Sequence, residues 1–330
     1  MIYGDSRNLL LNLKLLVDSV FLRDGHFTNV SKGDLVGSTD VSSLIEDDES
    51  ASWFMGVSGA QVWQSPYQEW VYESGITMND APFISGLVPP SRASGVYVNG
   101  TFFAENGGIS GVDFKIDYIY GRVILTNGTI PSNSQVQAEY SYRHFRAEIA
   151  NKYAEQDITY FTSHELKDNP WSNNNTSYPT GAQRIGPIPV IFIQLGDGSS
   201  EAYELGNKSQ IKNRDVFFHI YTENDIERDS AMDLLDTRWS NFMPMIDFNY
   251  APLPISGLTN TLSPVYIPYQ TLLENVSYNG NKVISKHFEF KEMMDRPLNP
   301  LVKLERGIVE GKMNIYNIAP TGRIEPNPFI

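Results

Sequence analysis

The segment over residues 95–145 constrains the fold most, because it carries two Asn-Gly pairs between runs of alternating apolar residues. The pairs stand at 99–100 and 127–128, and the longest alternating run covers 136–142. Asn-Gly adopts the positive φ angles of a two-residue hairpin turn, and apolar residues at every second position form one face of a strand. The pattern predicts an antiparallel β-hairpin domain, a barrel or a sandwich, which we assign to residues 25–145.

Residues 6–23 have the spacing of an amphipathic helix. Leu9 and Leu13 begin a series of apolar residues at three- and four-residue steps, and Ser6 stands where an N-cap is expected. We therefore predict an N-terminal helix within residues 1–24. Its broad apolar stripe packs against either its own chain or a neighbouring subunit, and the first alternative is favoured.

A second folded region is predicted over residues 187–330. Two strongly apolar segments, at 190–195 and 216–221, are typical of buried strands. A helix is expected directly after them, because Asn224 is a good N-cap and the carboxylates that follow it would interact favourably with the helix dipole in the first turn. Strand-like segments follow, so this region is predicted to be α+β, and residues 146–186 a connecting loop region. The fold class predicted for the whole chain is α+β.

The residues that most often carry chemistry are missing or scattered. The chain has no cysteine, which excludes disulfides, thiolate metal ligands and cysteine nucleophiles. Its five histidines lie far apart, without the spacing of a metal site. Phosphate-binding, serine-elbow and calcium-loop motifs are also missing. We therefore predict no catalytic, cofactor-binding or metal-binding residues and no enzymatic activity. No run reaches the ~18 apolar residues of a membrane span, so no membrane partner is expected.

Charge and aromatic content narrow the function classes further. The net charge of −14 repels nucleic acid, so specific DNA binding is not expected. Tyr (18) and Phe (17) are frequent, which is typical of β-structure and of large protein contacts. An aromatic cluster leaves two alternatives open, a sugar-binding platform or core and interface packing, of which packing is favoured. The cluster comprises Trp53, Trp63, Tyr67, Trp70 and Tyr72.

Residues 187–195 and 213–222 give two strand patterns, and the acidic helix at 227–236 follows them. This order resembles the tail-terminator and tail-completion family of tailed bacteriophages, in which an apolar strand, an alternating strand and a helix across the sheet follow one another. The segment at 245–249 is similar to head–tail connector proteins of large myophages. At 112–123, the Ile-Asp-Tyr-x-x-Gly-Arg-Val texture resembles phage neck and tail proteins.

The resemblance implies a structural virion protein, assembled in the cytoplasm of a bacterial host. Such a protein forms a ring, usually a hexamer, at the head–tail neck, as a tail terminator or a head–tail connector. Its partners would be copies of itself and the neighbouring connector, tail tube and sheath proteins. DNA would pass through the ring without specific binding, which suits the acidic charge. Two alternatives stay open: another virion component (baseplate, fibre attachment or head decoration), and a carbohydrate-binding or carbohydrate-cleaving β-protein.

The helix predicted over 225–243 and ended by Pro244 is the expected subunit interface, together with the loops at 25–50 and 165–186. Carboxylates spaced four residues apart share one face of a helix, opposite the apolar stripe. A solvated or subunit-facing polar side is favoured for that face over a metal site. The candidate interface residues are Asp225, Arg228, Asp229, Asp233, Arg238 and Trp239.

Overall fold

The computed structural model describes just over half of the chain. The described residues are 5–38, 61–73, 76, 88–105, 113–118, 121–131, 133–150, 189–202, 210–237, 243–249, 277–278, 281–282, 284–301 and 304–317. Within them, helix α1 (Asp5–Arg23) precedes strands β1 (Phe27–Ser38), β2 (Val62–Gln64), β3 (Gly95–Val98), β4 (Thr101–Ala104), β5 (Asp113–Asp117), β6 (Arg122–Asn127), β7 (Val136–Arg143), β8 (Arg146–Ile149), β9 (Val190–Ala202) and β10 (Gln210–Thr222). Helix α2 (Asp225–Thr237) precedes strands β11 (Met243–Ile246), β12 (Ser277–Tyr278), β13 (Asn281–Lys282), β14 (Ile284–Leu301) and β15 (Leu304–Asn317).

The predicted α+β class, composed of an N-terminal helix, a β-hairpin barrel or sandwich and a C-terminal terminator-like α+β domain, is wrong because the fold is β-rich, although the N-terminal helix itself is present as α1. The described residues are mostly strand, in two curled sheets, and contain two helices. The difference lies mainly in β14 and β15, which pair over nearly their whole lengths. Their alternation is interrupted by Pro297 and Gly307, so the sequence pattern predicted only short strand segments in this region.

The first sheet has seven strands in the order β4-β3-β7-β1-β2-β6-β5, and all its pairs are antiparallel. The turn predicted at 99–100 joins β3 to β4, and both of its residues have positive φ (49° and 83°). The pair at 127–128 also ends a strand, but it does not form a hairpin. The strands on either side of it, β6 and β7, are separated in the sheet by β1 and β2.

The core of the first sheet is built from stacked aromatic rings. Trp70 is fully buried and stacks on Tyr140, with ring centroids 4.0 Å apart. The Tyr140 hydroxyl lies 2.6 Å from Ser65 Oγ, and the buried Tyr118 hydroxyl donates to the carbonyl of Ala93 at 2.6 Å. Tyrosine suits such a core because its ring packs while its hydroxyl finds a partner.

The Ile-Asp-Tyr-x-x-Gly-Arg-Val segment contains the end of β5 and the start of β6, which pair with each other, and its residues 119–120 lie outside the described residues. Asp117 and Arg122 are directly opposite each other in the register, and a buried ion pair of 2.8 Å joins their side chains. Gly121 has φ +59°, and a Cβ there would lie 2.0 Å from the carbonyl oxygen of Tyr67. The motif is therefore explained by local structure. The ion pair joins the ends of β5 and β6, and Gly121 leaves room for the segment of the same chain at Tyr67.

The second sheet has six strands in the order β11-β14-β15-β10-β9-β8. All its pairs are antiparallel except β8–β9, and β8 comes from the segment predicted as a connection. Both helices contribute to the hydrophobic core on one face of this sheet, where Leu13 of α1 and Leu235 of α2 are fully buried with Phe218 of β10. The α1 helix thus packs on its own chain, as the favoured alternative predicted.

Two buried asparagines of α1 pair with the backbone at β11. The Asn12 amide donates to the carbonyl of Ile246 and accepts from its N–H, both at 2.8 Å. The Asn8 side chain accepts from the N–H of Phe248 at 3.1 Å. These side chains take the place of a neighbouring strand, so the backbone groups at the sheet edge are satisfied by a helix.

The two sheets meet where the chain crosses between them twice. The α1–β1 turn at residues 24–26 and the β7–β8 link at 144–145 lie side by side, joined by a 3.0 Å hydrogen bond from the N–H of His144 to the carbonyl of His26. The Phe145 ring packs at this junction against Phe21, with centroids 4.6 Å apart. The junction therefore holds the ends of α1, β7 and β8 together.

We expect Asn12→Ala to lower the free energy of unfolding by about 2–4 kcal/mol, because it leaves two buried backbone groups at Ile246 unpaired. Urea denaturation followed by circular dichroism measures the change. Asn249→Ala is the matched control, since this exposed amide lies beyond β11 and bonds Asp247. Equal effects of the two substitutions would contradict the role assigned to Asn12.

Gly121→Ala is expected to cost clearly more stability than Gly100→Ala. Both glycines have positive φ, which alone costs an alanine about 1–2 kcal/mol. A Cβ at Gly100 meets nothing within 4 Å, whereas at Gly121 it collides with backbone, so the backbone must move. Thermal unfolding of the two variants tests this, and the explanation of the motif fails if their melting temperatures agree.

Candidate subunit interface

Helix α2 is positioned by a cap at its first turn and an apolar face behind it. Asn224 Oδ1 accepts a hydrogen bond from the N–H of Glu227 at 2.9 Å, so the predicted N-cap is confirmed. Ala231, Met232 and Leu235 are buried on the sheet side. Consequently the opposite side of the helix, which carries Asp225, Asp229, Asp233 and Asp236, is turned to solvent.

The described helix ends at Thr237, earlier than predicted. Pro244 lies inside strand β11, opposite His287 of β14, so it does not stop the helix. Two of the candidate interface residues, Arg238 and Trp239, lie outside the described residues.

Arg228 holds α2 onto the sheet. Its guanidinium lies 2.7 Å from Glu305 of β15 and 2.8 Å from Asp229. The hydrogen bond to Asp229 is the main cause that raises the pKa of Arg228, and the side chain is largely covered. This residue therefore fastens α2 to its own chain, unlike the exposed Asp225, Asp229 and Asp233.

A groove of about 620 Å³ separates α2 from the α1–β1 turn. Two of the candidate carboxylates, Asp229 and Asp233, line it on the helix side, whereas Asp225 and Arg228 are not part of its lining. The groove is completed by Asp24, His26, Ile226, Ser230 and Leu234. It therefore brings together residues separated by about two hundred positions in the sequence.

The groove is acidic, with an apolar rim. Asp24 faces the pair of helix carboxylates, and the Ile226 side chain on the rim is 78% exposed. His26 packs against Phe21 and Phe145, and this burial lowers its pKa although Asp24 opposes the shift. At neutral pH the imidazole is therefore uncharged and does not offset the carboxylates.

Sequence reasoning missed the turn that forms the second wall of the groove. The only signal there was the Asp24-Gly25 pair, which marks a helix end. The loop predicted over 25–50 is strand β1 as far as Ser38, and its remainder lies outside the described residues, as does the loop predicted at 165–186. An interface through β1 would thus present a strand rather than a loop.

Two of the three tryptophans that motivated a sugar platform are in the core, and Trp53 lies outside the described residues. Trp63 and Trp70 are 6% and 0% exposed, so neither ring face is open to a ligand. Tyr67 is partly exposed but stacks on Tyr142, with ring centroids 4.2 Å apart. The favoured alternative, packing, describes the tryptophans of this cluster that the structure includes.

No family model and no curated protein matches the sequence. Within the described residues, no three His, Asp or Glu side chains are placed to hold a metal ion. Neither of the two described helices is long and apolar enough to cross a membrane.

The groove rim is expected to tolerate substitution in the isolated chain. Ile226→Ser should change the free energy of unfolding by no more than about 0.5 kcal/mol, as is usual for an exposed site. Leu234→Ala, on the same helix but 7% exposed, should cost about 2–5 kcal/mol through the cavity it leaves. Chemical denaturation of both variants measures this difference. A large loss with Ile226→Ser would mean that this side chain stabilises its own subunit.

Proposed function

We propose that this chain is a structural virion protein that forms a ring at the head–tail neck of a tailed bacteriophage, as a tail terminator or connector. It would join the tail tube or sheath to the connector and portal and let DNA pass. The observation that carries the proposal is the acidic groove with its exposed isoleucine, which is suited to a neighbouring protein rather than to a small substrate. A virion location, and assembly in the bacterial cytoplasm, are part of the same proposal.

The groove has the features of a protein contact. Ile226 is 78% exposed, so most of its apolar surface is not buried within its own subunit. Covering that surface in an association would stabilise the complex. Asp229, which also pairs with Arg228, and Asp233 are exposed, and their carboxylates would favour a neighbour with cationic groups. Ring contacts are head-to-tail, so a ring subunit must present two different surfaces, and self-repelling charge on one of them favours that arrangement.

The order of elements also supports the proposal. An apolar strand (β9), an alternating strand (β10) and an acidic-capped helix (α2) follow one another and pack together around the same core. This is the order on which the resemblance to tail terminators rests. Strands β14 and β15 extend the sheet beside these elements, since β15 pairs with β10 along almost its whole length.

Charge is consistent with a channel for DNA. With a net charge of −14, a closed ring of several subunits would carry a strongly negative potential. Phosphates are then repelled from the wall, so DNA slides past it without the counterion release that drives binding.

The proposal predicts rings whose assembly depends on the groove. Sedimentation velocity and negative-stain images of the wild type should show closed rings of about six subunits, the number that the resemblance to tail terminators implies. Asp229→Lys combined with Asp233→Lys should weaken association at least about tenfold, because like charges then face the cations of the neighbour. Asp236→Lys, an exposed carboxylate of α2 that does not line the groove, is the matched control.

Two results would count against the proposal. One is a wild-type chain that stays monomeric at high concentration and also fails to bind purified tail tubes or portal–connector complexes. The other is ring formation that the combined Asp229→Lys and Asp233→Lys substitutions do not weaken. This result would show that the groove is not part of the interface, although the chain still forms rings.

A further inference from the structure

Seven charged side chains meet at the junction between the two sheets. They come from four parts of the chain, namely α1, the segment after β2, the end of β7, and β8. The cations are Lys14, Arg143 and Arg146, and the carboxylates are Asp18, Glu69, Glu73 and Glu148.

Three of the carboxylates are paired with cations. Both oxygens of Glu73 accept from Arg143 Nη2, at 2.7 and 2.6 Å. Arg146 Nε lies 2.6 Å from Glu148 and 3.2 Å from Glu69. Glu148 is also 3.4 Å from the Lys14 ammonium, which donates to the carbonyl of Ala147 as well.

Asp18 is the carboxylate left over. It is 7% exposed, and within the described residues it forms no ion pair within 4.0 Å. Its Oδ1 accepts one hydrogen bond, from the N–H of Ala147 in β8 at 3.2 Å. With all seven groups ionised, the network would bury four negative and three positive charges. Binding of one proton would make the network neutral. Asp18 is the carboxylate that is protonated most easily, because its protonation breaks no ion pair.

We infer that Asp18 makes the junction between the two sheets a pH-sensitive joint, held more tightly when Asp18 carries a proton than when it is ionised. The inference rests on the junction alone and does not depend on the proposed ring or on the groove. Ionisation of Asp18 adds an unpaired charge to a site that water hardly reaches, which is energetically unfavourable. The charge lies at the contact between α1 and β8, so ionisation weakens that contact.

The titration behaviour of the network agrees with this geometry. Burial raises the pKa of Asp18 to about 6, although Lys14 and Arg143 oppose the shift, and Glu69 and Glu73 add to it. For Glu148, burial is outweighed by Lys14 and Arg146, which lower its pKa to about 2. Strand β9, which also packs against α1, faces it with isoleucines that do not titrate. The proton is thus assigned to one member of the network.

The direction of the pH effect follows from the raised pKa. The folded state holds the Asp18 proton up to about pH 6, whereas the unfolded chain releases it near the ordinary value of 3.8. The stabilising contribution is therefore complete below about pH 4, declines as pH rises toward 6, and is absent above it. Two pKa units correspond to about a hundredfold change in the folding equilibrium constant.

The test compares the wild type with Asp18→Asn from pH 4.5 to 7.5. The asparagine keeps the shape and can still accept from Ala147, but it cannot ionise. Burial lowers the pKa of His26 and of His144, so both titrate in this window with the opposite effect on stability. The measured quantity is therefore the difference between the two proteins. Relative to the variant, the wild-type folding constant should fall about thirtyfold between pH 4.5 and 7.5, and Asp236→Asn should show no such difference.

Amide hydrogen exchange locates the effect. After correction for intrinsic exchange rates, protection of the Ala147 amide should fall between pH 4.5 and 7.5 in the wild type and stay level in Asp18→Asn. The Phe218 amide, in the middle of β10, should be protected equally in both. A parallel pH dependence in the two proteins would overturn the inference.

A second variant keeps the inference testable if Asp18→Asn does not fold. Glu69→Gln removes a neighbouring carboxylate and leaves three negative and three positive groups in the network. The pH at which the wild-type stability changes should then move to lower values, because Asp18 ionises at less cost. A transition at the same pH as in the wild type would overturn the assignment to Asp18.

Discussion

An ion pair between Glu69 and Arg146 links the two sheets directly across their junction. The carboxylate belongs to the segment packed under the first sheet, and the guanidinium to β8 of the second. Beside it, Arg143 is held by Glu73 and lies over the Tyr72 ring at 5.1 Å. Removing one partner of a buried pair costs about 3–5 kcal/mol, because the other charge stays behind without water. The network therefore favours the placement of the sheets in which Glu69, Glu73 and Glu148 keep their cationic partners.

The free edges of the second sheet are protected by other means. Strand β11 covers only the first part of β14, and residues 291–297 beyond it are mostly exposed, include four charged side chains and end at Pro297, which has no N–H to offer. The register shifts between Phe290 and Glu292, which further breaks the edge. Charges, proline and bulges are the usual barriers to pairing between sheets of different molecules. Contact with a neighbour is therefore better served by the groove at α2 than by addition of a strand.

The features that sequence could predict are those decided by neighbouring residues. The leucine spacing of α1, the turn at 99–100 and the Asn224 cap each depend on a few consecutive positions, and each is present. The strand order could not be predicted, because the pair at 127–128 looks like a hairpin turn although its strands pair elsewhere. The overall class was wrong for a similar reason, since Pro297 and Gly307 interrupt the alternation of a long hairpin.

One wall of the groove could be predicted from the sequence, for the same physical reason. Carboxylates on one face of α2 were visible in the helical spacing, and Asp229 and Asp233 do share the groove. The opposite wall, at residues 24–26, comes from the far end of the chain, and no local pattern connects the two. No local pattern predicts the ionic network at the junction either. Its members are spread from Lys14 to Glu148 and come together through the packing of α1, β7, β8 and the segment after β2.

The asparagines of α1 have a consequence for how the protein is made. Asn12 pairs with a strand residue 234 positions later, and such distant contacts form slowly because a large loop must close first. At roughly 5–20 residues per second, a ribosome needs about ten to fifty seconds to reach that strand after the helix. During that time the leucine face of α1 lacks the cover that β11 provides, and before β8 and β9 are made it has no strand of the second sheet to pack on. A nascent chain of this design is therefore prone to aggregation early in its synthesis, and holding by a chaperone would raise its yield.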